Sequence, residues 1–142
     1  VMSFIYAAKE VIVVTTPEPT AITDAYALIK NMVQKDKTKT ISIILNRVEN
    51  SEEARNILEK IYQVCLKFLG IEICKLGFIY NDANISKAVK RQEPFVIVYE
   101  KSIAASNIDE IAKTLAKINN TENEKKSGLK IFVTKLKLFF NS

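Results

Sequence analysis

Histidine is missing from this 142-residue chain. That absence removes His-based nucleophile–base pairs and most zinc sites. Glycine is nearly as scarce, with three residues: Gly70, Gly77 and Gly128. A phosphate cradle of the form G-x-x-x-x-G-K-[ST] needs two glycines in fixed register before a helix, and none of these glycines has that spacing. No G-x-S-x-G elbow, H-E-x-x-H pair or EF-hand loop occurs either. The two cysteines, Cys65 and Cys74, lie nine positions apart with no C-x-x-C, so they read as reduced, buried thiols. No apolar run approaches the ~20 residues needed to cross a bilayer. The apolar start, Val1–Glu10, has no basic flank and reads as a helix rather than a signal peptide. On these residues alone, no catalytic machinery is expected.

What is present suits one domain with a real core: 48% of residues are hydrophobic and 26% charged. The net charge of +5 is uneven, because residues 120–142 hold 5 basic and 2 acidic residues and so carry +3 of it. A localised basic tail points to an anionic surface, lipid or nucleic acid.

Helix-period and strand-period segments alternate along the chain. Val11–Val14 is a β-branched run, so 10–16 reads as a strand covered on both faces. Two prolines follow in Pro17-Glu18-Pro19-Thr20. An amphipathic helix is predicted over 20–35, with Thr20 as its cap and Asp24 in its first turn. Residues 40–45 read as a second buried strand running into Asn46-Arg47. A helix then starts near Asn50 or Ser51, carries Ala54, Ile57, Leu58, Ile61, Cys65, Phe68 and Leu69 as its apolar stripe, and stops at Gly70. A third strand covers 73–79 and a short helix 84–91. Phe95–Val98 reads as a short edge strand, and Ser102 as the cap of a helix reaching Ile118. This alternation implies an α/β fold with a parallel sheet and helices on both faces. Ligands bind such sheets outside the carboxyl ends of the strands.

The string Thr15-Thr16-Pro17-Glu18-Pro19-Thr20-Ala21-Ile22-Thr23-Asp24-Ala25-Tyr26, with Asn46-Arg47 after the next strand, resembles the MinD/ParA-type P-loop ATPases. Within them it is most similar to the flagellar-number branch (FlhG, FleN or YlxH). The resemblance covers nearly the whole chain but only the C-terminal portion of a family member, downstream of the Walker A and Walker B motifs. It implies a partial three-layer parallel sheet, the C-terminal half of a P-loop NTPase fold, plus a C-terminal amphipathic helix. Residues 1–119 would belong to the ATPase domain, 120–127 to a polar linker and 128–142 to the terminal helix. It further implies ATP and Mg in a complete protein, with this chain alone binding neither and hydrolysing no ATP. Asn46 and Arg47 would contact the adenine base. Taken without the family, the pair reads as a loop capping the next helix. Asp82, in Tyr80-Asn81-Asp82-Ala83, matches a second base-contacting loop, although tyrosine and asparagine replace that loop's usual first residues. Pro17, Glu18, Pro19 and Thr20 would lie on the face that pairs with a second copy across ATP.

The tail carries Leu129, Phe132, Val133, Leu136, Phe139 and Phe140 on one helical stripe, flanked by Lys130, Lys135 and Lys137. Its periodicity suits equally a helix docked on the body and one lying in a membrane interface. The resemblance favours an anionic membrane and a cytoplasmic, peripherally membrane-associated protein. It also implies an activating partner protein that the sequence does not identify. A ParA-like DNA-partitioning ATPase is an alternative, disfavoured because the charge sits on an apolar-striped tail. A non-enzymatic module that associates through an open sheet edge is another.

Overall fold

The computed structural model describes residues 2–122. The elements run α1 (Met2–Ala7), β1 (Glu10–Thr15), α2 (Pro19–Lys35), β2 (Thr40–Val48), α3 (Ser51–Leu69) and β3 (Cys74–Tyr80). They continue with α4 (Ala83–Lys90), α5 (Phe95–Val98) and α6 (Ile103–Glu122). Among the described residues the strands form one sheet in the order β1-β2-β3, and both pairings are parallel. Residues 120–122, expected to begin a linker, continue α6. The rest of that linker and the terminal helix lie outside the described residues.

β2 is the centre of the sheet. Ile41, Ile43 and Leu45 face α2 and α3, where they join Val13, Ile29, Met32, Leu58, Ile61 and Cys65 in one core. Ile44 faces the other way and packs with Leu76, Ile79 and the α6 residues Ala104 and Ile111. The period of two along a strand sends alternate side chains to these two cores, which gives a three-layer α/β/α arrangement. Gly77 lies against α6: a Cβ there would lie 3.2 Å from Ile111 Cγ1.

Helix ends follow local chemistry. The Asn50 side chain accepts from the Glu52 and Glu53 amides at 2.8 and 3.2 Å, with both glutamates in the positive first turn. Gly70 closes α3 at φ 65, a left-handed conformation open to glycine. Ser102 Oγ accepts from Ala105 N–H at 3.2 Å at the start of α6.

Four readings need correction. Phe95–Val98 is a helical turn and not an edge strand. Ile97 N–H reaches the Pro94 carbonyl at 3.0 Å and Tyr99 N–H the Phe95 carbonyl at 2.8 Å, so these amides are bonded within the segment. Phe95 turns onto the α6-side core while Ile97 is left 72% exposed. Phe68 does not belong to the inner stripe of α3; it is 66% exposed, with Lys67 Nζ 5.4 Å from its ring centre. β1 is covered on one face only. Val13 is buried against α2, but Ile12 and Val14 are 44% and 57% exposed on the face that α6 does not reach. Finally, α2 begins one residue early, at Pro19, so neither Thr20 nor Asp24 has its expected place. Glu18 is the N-cap without a side-chain cap bond, and Pro19 supplies a preset φ and no donor that needs satisfying.

These positions make a direct contrast. Ile29→Ala, at a fully buried site, is expected to cost ~2–5 kcal/mol, and Phe68→Ala less than ~0.5 kcal/mol, by urea unfolding. Equal losses would contradict the assignment of the two residues to core and surface.

Candidate functional site

Parallel strands deliver their carboxyl ends to one side, so three loops gather there: 16–18 after β1, 46–50 around the end of β2, and 81–82 after β3. Each loop is held by polar bonds, short-range in the first and longer-range in the third.

In the first loop, the Thr16 hydroxyl donates to the Glu18 carboxylate. That bond, with a further contribution from the positive charge of Arg47, holds the Glu18 carboxyl below its ordinary range. Pro17 is half-buried, and Glu18, Pro19 and Thr20 are exposed. Behind them, Pro17, Ile22, Tyr26, Ile57 and Ile61 line an apolar cavity of about 250 Å³ between α2 and α3. At the end of β1, the buried Thr15 hydroxyl has no hydrogen-bond partner among the described residues.

The second loop breaks the ladder of β2. Pairing with β3 is regular at Leu45 and Phe78 and resumes at Val48 and Tyr80, with an irregularity between. Arg47 sits inside it at φ 59. An L-residue in that left-handed region is strained by roughly 1–2 kcal/mol. Asn46 offsets part of this strain: its Oδ1 accepts from Arg47 N–H at 2.8 Å, which turns the chain locally. The result leaves the Arg47 side chain in solvent and Asn46 half-buried. Because Asn50 caps α3, the pair does not have the capping role that the sequence also allowed. Glu49 then accepts from Asn81 Nδ2 at 2.6 Å, joining the second loop to the third.

In the third loop, both carboxylate oxygens of Asp82 are engaged. Oδ1 accepts from Asn84 N–H at 2.9 Å and caps α4, and Oδ2 accepts from Ala104 N–H at 3.2 Å in α6. Asn46, Arg47, Asp82 and the Pro17–Thr20 turn thus share one end of the sheet. The tail residues Leu129, Lys130, Phe132, Val133, Lys135, Leu136, Lys137, Phe139 and Phe140 lie outside the described residues. Sequence reasoning missed Thr16, Glu49 and Asn107, whose Oδ1 accepts from Tyr80 N–H at 3.1 Å. Nothing local marks Asn107, because its partner is 27 positions away. Among the described residues, no group of three or more Cys, Asp or Glu side chains is placed to hold a metal ion. No helix among them is long and apolar enough to cross a membrane.

The strain at Arg47 is measurable. Arg47→Gly is expected to be about 1 kcal/mol more stable than Arg47→Ala in urea unfolding, reversing the usual cost of glycine. An alanine variant as stable as the glycine variant would show that the residue is unstrained.

No family model matches the chain. Individual relatives do. The chain is 34% identical over 113 residues to the antiactivator FleN of Pseudomonas aeruginosa, a match covering 80% of this chain and 40% of FleN. It is 33% identical over 138 residues to the flagellum site-determining protein YlxH of Helicobacter pylori, covering 94% of this chain and 46% of YlxH. A protein of Oltmannsiellopsis viridis bearing the name of the septum site-determining protein MinD is 29% identical over 108 residues, covering 76% of this chain and 33% of its own length. The chain therefore spans less than half the length of each of these relatives. By these similarities the chain belongs to the MinD/ParA-type ATPase family, with flagellar proteins among its relatives.

Proposed function

We propose that this chain supplies base recognition and subunit pairing to an ATP-dependent site-determining switch. The observation that carries the reading is the break in β2. It sets Asn46 and Arg47 at the carboxyl end of the central strand, with Arg47 held at φ 59. Strained backbone of this kind persists where surrounding structure fixes it, and it concentrates at binding sites. The chemistry suits adenine. A carboxamide donates to a ring nitrogen and accepts from the exocyclic amine, and Asn46 Oδ1 keeps a second lone pair beyond its bond to Arg47 N–H. A guanidinium stacks on the ring face.

Pro17, Glu18, Pro19 and Thr20 project beside that position and form the face for a second copy. The phosphates and Mg are held by groups that this chain does not contain, since its sequence has no G-x-x-x-x-G-K-[ST] loop. ATP, Mg, hydrolysis and the response to an activating protein are therefore assigned to the complete protein and not to this segment. The exposed Ile12 and Val14 face of β1 fits such a division, because a wider sheet with its own helices would cover it. Residues 128–142 serve as the contact with an anionic membrane at the cytoplasmic surface. Their apolar stripe and flanking lysines support lipid over DNA as the partner.

Adenosine tests the base reading without the phosphates. Millimolar adenosine is expected to shift the amide resonances of Asn46, Arg47 and residues 80–82, guanosine is not, and Asn46→Ala should lose the response. An identical response to both nucleosides would overturn adenine recognition. The tail is tested by co-sedimentation with liposomes containing anionic lipid against retention of duplex DNA. Phe132→Glu with Phe139→Glu should abolish sedimentation with the liposomes. DNA retention without lipid binding would favour the partitioning alternative.

A further inference from the structure

The loop after β3 is gripped from the opposite layer of the fold. β3 pairs with β2 alone among the described residues, so its other edge is open. Successive amides of such a strand point alternately toward the neighbour and away from it. Asn81 N–H points toward β2 and reaches the Val48 carbonyl at 2.9 Å. Tyr80 N–H points away, and its acceptor is the Asn107 side chain of α6, at 3.1 Å from Oδ1. Two residues later, Asp82 Oδ2 accepts from Ala104 N–H, also on α6, at 3.2 Å. The first turns of α6 thus hold the loop at both of its ends. The Asn81–Glu49 bond at 2.6 Å ties the middle of the loop to the segment that follows Arg47.

We infer that Asn107 is a positioning residue for the base-facing loop 80–82, with Asp82 as the second anchor of the same clamp. The inference rests on the base-recognition reading above for its functional consequence, and on α6 geometry alone for the clamp. Asp82 has both oxygens engaged by backbone amides, so its influence on a bound base passes through the loop it holds. Asn107 completes that hold by giving the Tyr80 edge amide its acceptor. The packing beneath is tight. Ile111, one helical turn beyond Asn107, is buried against Leu76 and Ile79 and meets Gly77 across the sheet face. That contact fixes the height of α6 over β3, and so the reach of the Asn107 side chain.

Hydrogen exchange and nucleoside titration by NMR on the 142-residue chain test this directly. Asn107→Ala should speed exchange of the Tyr80 amide by about tenfold while the β2 amides keep their rates. It should also weaken the adenosine response severalfold. Asn107→Asp keeps an acceptor oxygen at the same reach and should restore both properties. Asp82→Asn keeps one acceptor oxygen and should expose either the Asn84 or the Ala104 amide, but not both. An unchanged Tyr80 rate in Asn107→Ala, or a uniform acceleration across all amides, would overturn the clamp. Faster Tyr80 exchange with an unaltered adenosine response would overturn the positioning role. A wild-type chain indifferent to adenosine would remove the base reading instead, and the exchange rates would still decide the clamp.

Discussion

A strand buried on both faces cannot offer a side chain to solvent until its ladder ends or breaks. β2 is such a strand: Ile41, Ile43 and Leu45 are buried toward α2 and α3, and Ile44 toward α6. Its break between Leu45 and Val48 is the constraint on which the candidate site depends. Without it, the side chains of residues 46 and 47 would continue the alternation into the two helical layers. With it, Arg47 adopts φ 59, its side chain leaves the sheet, and Val48 re-enters the core at 2% exposure. The core on either side of the break holds a conformation that an isolated peptide would not keep.

The neighbouring loops are tied to this break and to one another. In the first loop the Thr16 hydroxyl holds the Glu18 carboxylate, and the charge of Arg47 adds a smaller effect. Glu49 and Asn81 join the β2 and β3 loops. Asp82 and Asn107 bring in α6, which otherwise contributes only packing. The site is therefore assembled from both helical layers. A disturbance in α6 reaches it through two hydrogen bonds and the contact between Ile111 and Gly77. At the opposite edge of the sheet, Ile12 and Val14 leave one face of β1 exposed.

Legibility followed the range of the interaction. Period-2 and period-3.6 patterns located the three strands and the principal helices, because their hydrogen bonds and apolar faces repeat within the segment. Asn50, Gly70 and Ser102 declared their caps for the same reason. Phe95–Val98 misled: a β-branched run after proline reads as strand, but its amides bond to one another at short range. Thr20 was misplaced as a cap by two positions, since Pro19 starts the helix and Glu18 is its N-cap. Phe68 kept the helical spacing of a core residue, but Cys65 and Leu69 take the inner face there and its ring is left to Lys67.

By itself, the sequence determined the α/β alternation, the absence of a phosphate cradle and the family resemblance carried by Thr15–Tyr26 with Asn46-Arg47. Each of these is a matter of local pattern or of residues simply present or missing. Tertiary structure alone decided that β1 is covered on one face, that Arg47 is strained, and that Asn107 and Asp82 clamp one loop. Those features arise where segments distant in the chain meet. A break in a ladder needs a partner strand, burial needs a second layer, and an edge amide finds its acceptor only after α6 has packed across the sheet.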